Sequence, residues 1–251
     1  MRLTATLLFI AAIGYAGLCV ALYLFQRSLI YFPQPAAART PVMQLSRGEV
    51  TVLASVREHA GPDAVIYFGG NAEDVSQSLA PLAEAYPQHA VYLLHYRGYG
   101  GSGGSPSEAA LTQDALALFD QVHQTHPRVT VIGRSLGSGV AVQLASQRPV
   151  AQLVLVTPYD SLQALAAAQF PAFPVRWMLK DRFDSGLHAA QVRAPALLIA
   201  ADQDEVIPLV STRQLFARFA KGQAVLHVLP RTSHNTISVH PLYWQLLRDA
   251  R

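Results

Sequence analysis

Gly133-Arg134-Ser135-Leu136-Gly137 is the stretch that decides the fold of this chain. It follows the apolar run Val129-Thr130-Val131-Ile132 and precedes a helix-compatible stretch, Ser138 to Ser146. A serine between two glycines suits a strained strand-to-helix turn, because side chains at the glycine positions would collide with neighbouring backbone. Such a turn presents the Ser135 hydroxyl over the sheet and directs the Leu136 N–H toward a developing oxyanion. The pattern predicts a nucleophilic serine, and a glycine-rich structural turn is the alternative.

Short apolar runs recur along the rest of the chain. Continuous runs of this length are typical of strands buried in the centre of a parallel sheet. Between them, Ser107 to Val122 has helical periodicity, with Ser107 as N-cap and Glu108 in the first turn. The alternation predicts an α/β fold with a mostly parallel sheet and helices on both faces. The predicted strands are residues 64–68, 90–94, 129–132, 153–156, 196–200 and 225–229.

The N-terminal segment is much more apolar than the rest. No charged residue occurs from Leu3 to Phe25, and roughly 20 apolar residues in a helix can cross a hydrocarbon core about 30 Å thick. We therefore expect a single-pass membrane anchor. Arg2 on one side and Arg27 and Arg39 on the other give conflicting counts under the positive-inside rule, so the side of the membrane stays open. The expected organisation is an anchor at 1–28, a linker at 29–45 and a catalytic domain at 46–251.

A cleaved signal peptide is the alternative interpretation of this segment. The apolar region of such a peptide usually runs only about 7–15 residues, which is shorter than the run seen here. The small residues Ala36-Ala37-Ala38 lie well beyond the apolar run, where cleavage is not expected. We therefore favour a retained anchor.

Overall composition excludes several classes of function. The formal net charge is +3 and the basic residues are spread along the chain, which does not indicate a nucleic-acid partner. The single cysteine, Cys19, cannot form an internal disulfide, and no Cys/His cluster has metal-ligand spacing. We expect a monomer that needs neither a cofactor nor a metal.

A nucleophilic serine needs a base and an orienting acid, and both follow later predicted strands. In chains with this type of turn the order is serine, acid, histidine. Asp204 follows the strand that ends at Ala200, and His234 follows the strand that ends at Leu229. Asp202, in the same loop, and Asp160, after strand 153–156, are the alternative acids.

Several segments together resemble the α/β-hydrolase superfamily. They are Gly70 to Asp74, Tyr96 to Gly104, the pentapeptide around Ser135, Asp204 to Pro208, and Ser233-His234-Asn235. One further segment points to a narrower group within that superfamily. It resembles the small membrane-anchored serine-hydrolase branch that includes protein depalmitoylases. The segment follows the apolar helix and reads Gln26-Arg27-Ser28-Leu29-Ile30-Tyr31-Phe32-Pro33.

The resemblance implies a role for each matching residue. Ser135 would be the nucleophile, His234 the base and Asp204 the acid. The second oxyanion donor, beside the Leu136 N–H, would be the backbone N–H of Asn71. This chain departs from the branch at Gly69, where the branch has a histidine.

A short cap is expected between strands, at about 160–192. Phe170, Phe173 and Trp177 lie there and are candidates for an acyl-binding pocket, although they could equally be ordinary packing of the cap.

The resulting prediction is a membrane-tethered serine hydrolase that cleaves carboxylic esters or thioesters through an acyl-enzyme. Small-molecule esters, lipids and acylated proteins are the candidate substrates. A peptidase or amidase on the same fold is one alternative, because the triad alone does not select the leaving group. A catalytically silent membrane-associated binding or scaffold protein is the other.

Overall fold

The computed structural model of this chain describes residues 2–250, apart from the side chain of Arg47. Residues 1 and 251, which open the predicted anchor and close the predicted catalytic domain, lie outside the described part. Within it, one sheet contains eight strands in the order β1-β2-β4-β3-β5-β6-β7-β8. The strands are β1 (Val42–Arg47), β2 (Val50–Arg57), β3 (Asp63–Phe68), β4 (Ala90–Leu94), β5 (Arg128–Arg134), β6 (Gln152–Val156), β7 (Ala196–Ala201) and β8 (Ala224–Leu229).

Helices occupy both faces of the sheet and the segment before it. A 3-10 turn at Val75–Ser78 precedes α2, and another at Ile237–Val239 precedes α9. The α-helices are α1 (Arg2–Ile30), α2 (Leu79–Ala85), α3 (Glu108–His123), α4 (Leu136–Ala145), α5 (Leu162–Gln169), α6 (Val175–Met178), α7 (Ser185–Ala189), α8 (Leu209–Phe216) and α9 (Pro241–Asp249).

The sheet is mostly parallel, which confirms the predicted fold class. Strands β4, β3, β5, β6, β7 and β8 pair in parallel, whereas β1 pairs antiparallel with β2 and β2 pairs antiparallel with β4. Each of the six predicted apolar runs coincides with one of the parallel strands. For the central strands the match follows from burial on both faces, which favours apolar residues at successive positions, whereas β8 is a partly exposed edge strand.

Alternate residues of the strands face two separate apolar layers. In β3, Ile66 belongs to the layer that includes α3 and α4, whereas Val65 belongs to the layer that includes α2 and α9. Helix α3 begins as expected, because the Ser107 hydroxyl accepts a hydrogen bond from the Ala110 N–H at 3.2 Å. Because β5, β7 and β8 run parallel, their C-terminal ends lie at the same end of the sheet. The loops that carry the predicted triad begin there.

The segment expected to be a linker differs from that expectation. Strand β1 begins at Val42, so the boundary at 45/46 falls inside a strand. Tyr31, before that strand, is only 3% exposed, and the Gln34 carbonyl accepts a hydrogen bond from the Gly100 N–H at 2.9 Å. Much of this stretch therefore packs against the domain.

Candidate active site

Ser135 occupies a strained turn between β5 and α4. Its φ of 50° and ψ of −118° lie in a region that residues with a side chain seldom adopt. The flanking glycines make the turn possible, since a Cβ at Gly137 would collide with the carbonyl oxygen of Phe68 and one at Gly133 with that of Gly137. Strain of this kind is characteristic of a serine held for reaction.

The three predicted triad residues lie in one hydrogen-bonded chain. Ser135 Oγ is 3.0 Å from His234 Nε2, and His234 Nδ1 is 2.9 Å from the nearer carboxylate oxygen of Asp204. Ser135 is 9% exposed and His234 is 6% exposed, so the hydrogen bonds lie in a largely water-excluded place. This geometry allows the imidazole to remove the serine proton while the carboxylate fixes the ring orientation.

The loop after β7 holds Asp204 in place. Its Oδ1 accepts hydrogen bonds from the backbone N–H groups of Val206 at 2.9 Å and Ile207 at 2.7 Å. In the same loop, the Glu205 carboxylate accepts a hydrogen bond from the His234 N–H at 3.2 Å. Sequence reasoning missed Glu205, although its place next to the candidate acid was a signal.

The two alternative acids have other partners. Asp202 accepts a hydrogen bond from the Thr232 N–H at 3.1 Å, and hydrogen bonds from the backbone, that of Arg231 first, lower its pKa. Asp160 lies 3.6 Å from Arg218, and burial raises the pKa of its carboxyl. Of the three carboxylates, Asp204 is the one bonded to the imidazole.

The loop after β3 lies against the serine turn. A Cβ placed on Gly70 would be 3.8 Å from Ser135 Cβ, so the backbone that leads into Asn71 passes beside the nucleophile. Within residues 2–250, neither the Asn71 N–H nor the Leu136 N–H has a hydrogen-bond acceptor. Leu136 is the first residue of α4, where helical N–H groups are left without intrahelical partners. Both predicted oxyanion donors are therefore available.

Three side chains outside the triad brace this loop. The Tyr96 hydroxyl donates to the Gly69 carbonyl at 2.8 Å, and the Tyr99 hydroxyl donates to the Asn71 carbonyl at 2.6 Å. The Glu73 carboxylate accepts a hydrogen bond from the Gly70 N–H at 2.8 Å. These residues lie in segments that carry the family resemblance, but the sequence pattern predicts no role for them.

Arg134, next to the nucleophile, lines a cavity of about 180 Å³ between α2 and α9. Its guanidinium is 3.7 Å from Glu73, and the Tyr67 hydroxyl donates to Glu73 at 2.8 Å. Burial raises the pKa of the Tyr67 phenol, which keeps it protonated as a donor. Tyr243 and Trp244 form the far wall. Sequence reasoning missed this cavity, since its walls come from segments far apart in the chain.

The predicted acyl-binding residues pack on α1 or are exposed. Phe173 stacks on Tyr15 of α1, with ring centroids 5.8 Å apart, while Phe170 is 51% exposed and Trp177 is 87% exposed. Their contact with substrate stays a prediction. Among residues 2–250, no group of three or more His, Cys, Asp and Glu side chains is arranged to hold a metal.

Curated relatives align over most of this chain. An uncharacterised protein of Mycobacterium tuberculosis is 36% identical over 90% of this chain and 86% of its own length. An uncharacterised membrane protein of Saccharomyces cerevisiae is 25% identical over 91% of this chain and 89% of its own. The lysophosphatidylserine lipase ABHD12 of Danio rerio is 29% identical over 64% of this chain and 48% of its own.

Solved structures and a family description agree on the fold. The Pyrococcus furiosus esterase Pf2001 superposes with a TM-score of 0.70 at 18% identity, covering 88% of this chain and 97% of that one. At that identity the likeness concerns the fold alone. Residues 63–192 match the family described as alpha/beta hydrolase fold. With half of its length matched in this way and the sheet order described above, the chain belongs to the α/β-hydrolase family.

Proposed function

We propose that this protein is a membrane-tethered serine hydrolase that cleaves carboxylic esters or thioesters. The observation that carries the proposal is the hydrogen-bonded chain from Ser135 through His234 to Asp204. Each of these residues follows a strand of the sheet, and the nucleophile lies on a strained turn, as the chemistry of this family requires.

The proposed reaction has two acyl-transfer steps. His234 removes the Ser135 proton as Oγ attacks the substrate carbonyl, and the imidazolium then protonates the leaving alcohol or thiol. Water, activated by the same imidazole, releases the acid from the acyl-enzyme. Asp204 keeps the imidazole in the tautomer with a proton on Nδ1 and stabilises the imidazolium.

The tetrahedral intermediates carry an oxyanion, for which we propose the N–H groups of Asn71 and Leu136 as donors. Leu136 directly follows Ser135, the loop that carries Asn71 passes beside it at Gly70, and neither N–H group has a protein acceptor among the described residues. Removing one donor of this kind typically reduces turnover by about 10²–10³-fold.

We propose lipids or lipid-modified proteins as the substrate class. Helix α1 is apolar and long enough to cross a membrane, and it is exposed along most of its length. A relative that carries the name of a lysophosphatidylserine lipase, and the resemblance to the depalmitoylase branch, both suit a substrate that resides in a membrane. Residues 1–28 would then be a retained single-pass anchor and residues 160–192 the cap of the catalytic domain.

Two alternatives lead to different outcomes in one experiment. A peptidase or amidase would use the same triad on another leaving group. A silent scaffold would not react, although a buried His–Asp pair bonded to a strained serine has no evident purpose in one.

The test is labelling of the detergent-solubilised full-length protein with a fluorophosphonate, combined with hydrolysis of acyl esters, thioesters and amides. Wild type and Ser105→Ala, a control on an exposed loop, should react equally. Ser135→Ala should not be labelled and should lose about 10⁴-fold or more of its turnover, because triad members act as a unit. Full ester turnover by Ser135→Ala would contradict the assignment of Ser135 as the nucleophile. Preferential cleavage of amides would favour the amidase.

A further inference from the structure

We infer that the hairpin formed by α5 and α6, residues 162–178, inserts into one leaflet of the membrane beside α1. The inference rests on the proposed membrane anchor, and it adds a lipid leaflet as the partner of the cap.

The hairpin contacts α1 at two levels along the helix. Near the C-terminal end of α1, the Gln26 side chain donates to the Met178 carbonyl at 3.2 Å. Near the middle of α1, the Tyr15 hydroxyl donates to the Ala172 carbonyl at 2.7 Å. Since an α-helix rises 1.5 Å per residue, the two levels are about 16 Å apart. The hairpin therefore runs beside roughly half of the helix.

The position of Tyr15 fixes the depth of the hairpin. Tyr15 lies in the middle of the uncharged run from Leu3 to Phe25. If the hairpin stayed in water, only the helix before Tyr15 would remain for lipid, about 18 Å at 1.5 Å per residue. Crossing a hydrocarbon core takes about 30 Å. A helix that spans the membrane must therefore carry the Ala172 end of the hairpin into the hydrocarbon with it.

The composition of the hairpin suits this depth. No Asp, Glu, Lys, Arg or His occurs from Ser161 to Val175, and the flanking charges are Asp160 and Arg176. None of the residues of α5 is buried within the protein. Charged side chains are costly in a bilayer, whereas an exposed apolar surface is stabilised there.

Several backbone groups at the tip of the hairpin are satisfied from within the protein. Pro171 and Pro174 have no N–H group to satisfy. The Phe173 N–H donates to the Phe170 carbonyl at 3.1 Å, and the Val175 N–H donates to the Phe173 carbonyl at 2.8 Å. The Ala172 carbonyl accepts its hydrogen bond from the Tyr15 hydroxyl. Irregular backbone at membrane depth is tolerated where neighbouring protein covers it, and α1 supplies such cover at the Ala172 carbonyl.

The two exposed aromatic residues of the hairpin, Phe170 and Trp177, would lie at different depths in the membrane. Phe170 is at the tip, near the level of Tyr15, whereas Trp177 precedes Met178, at the level of Gln26. Trp177 thus lies near the interfacial region, which tryptophan prefers. Because Ala172 and Phe173 contact Tyr15, the tip that carries Phe170 lies deeper, among the acyl chains.

The two tryptophans of the chain supply the probe and its control. The full-length protein is reconstituted in phosphatidylcholine vesicles that carry bromine, a quencher of tryptophan, near the headgroup end or the methyl end of the acyl chains. Trp244→Phe leaves Trp177 as the reporter. Trp177→Phe leaves Trp244, which lies on α9 in the other apolar layer. A third variant adds Phe170→Trp to a chain in which Trp177 and Trp244 are both replaced by phenylalanine.

We expect the Trp177 reporter to lose most of its fluorescence to shallow bromine and the reporter at position 170 to lose most to deep bromine, while Trp244 keeps most of its emission. Quenching at 170 and 177 no greater than at Trp244, in a protein that carbonate does not extract, would overturn the inference and leave the anchor standing. Release of the chain by carbonate would overturn the anchor and the inference together, without affecting fluorophosphonate labelling.

Discussion

At the scale of single residues, Asp204 differs from Asp202 in the group that its carboxylate faces. Its carboxylate accepts two backbone N–H groups and faces the His234 imidazole at 2.9–3.0 Å. The two backbone hydrogen bonds fix the carboxylate in the position from which it orients the imidazole. Asp202, two residues earlier, is directed toward the Thr232 backbone instead.

This difference predicts the effect of removing each charge. Asp204→Asn should lower turnover by about 10⁴-fold while leaving the fold intact, because the amide favours the wrong imidazole tautomer. Asp202→Asn, the matched control in the same loop, should change turnover little. Steady-state kinetics with a soluble ester, together with thermal unfolding of both variants, provides the measurement. Damage from the Asp202 change that equals damage from the Asp204 change would mean that the acid has been misassigned.

The proximity of Ser135, Asp204 and His234 could be predicted from sequence because each follows a mostly apolar strand, and the C-terminal ends of parallel strands lie at one end of the sheet. Glu73 and Tyr99 could not be predicted in this way. Their importance comes from hydrogen bonds to backbone groups of a loop, and such bonds depend on turn geometry rather than on residue spacing.

At the scale of elements, the end of α1 is joined to the candidate oxyanion loop. The Asn71 side-chain amide donates to the Ile30 carbonyl at 3.1 Å, and the Phe32 N–H donates to the Asn71 carbonyl at 3.0 Å. The Arg27 guanidinium pairs with the buried carboxylate of Asp181 at 3.0 Å, which fixes the end of the helix on the cap side. The stretch that links anchor and domain therefore also holds the loop in place.

Two truncations test this coupling. A chain that begins at Gln26 keeps the contacts with Asn71, whereas a chain that begins at Pro41 loses them. Because a misplacement of about 1 Å in a catalytic group can cost on the order of 10²-fold, we expect the shorter chain to show a kcat for soluble short-chain esters lower by about that factor, with KM nearly unchanged. The chain beginning at Gln26 should match wild type. Equal kcat values for both truncations would show that Asn71 is positioned without help from α1.

The hairpin of β1 and β2 illustrates what sequence patterns miss at this scale. The six parallel strands are apolar at successive positions, so their pattern is evident in the sequence. Strand β1 is an edge strand with the sequence Val-Met-Gln-Leu-Ser-Arg, and only one of its residues with a described side chain, Leu45, is buried. With one solvent-facing side and a short length, such a strand resembles a linker in composition.

At the scale of the whole molecule, α1 and the segment 160–192, proposed as anchor and cap, pack against each other. Tyr31, just after α1, belongs to the apolar layer that also includes Tyr159, just before the segment 160–192, and Phe183 within that segment. The serine turn emerges from the same sheet, with the Tyr159 hydroxyl donating to the Leu136 carbonyl at 3.2 Å. A substrate held in the membrane beside α1 would therefore approach Ser135 from the cap side.

This arrangement predicts a preference for long acyl chains that depends on the membrane. Each buried methylene contributes up to about 0.8 kcal/mol, so burying four of them should favour octanoyl over acetyl esters by well above tenfold. Tethering also raises the effective concentration of substrates in the same bilayer. We expect the full-length protein in liposomes to show both effects in competition assays. The chain that begins at Gln26 should keep its turnover of acetyl esters in solution and lose the advantage on liposome-borne octanoyl esters. Equal rates on both esters, unchanged by removal of the anchor, would mean that α1 only locates the enzyme and that the cap aromatics do not act on substrate.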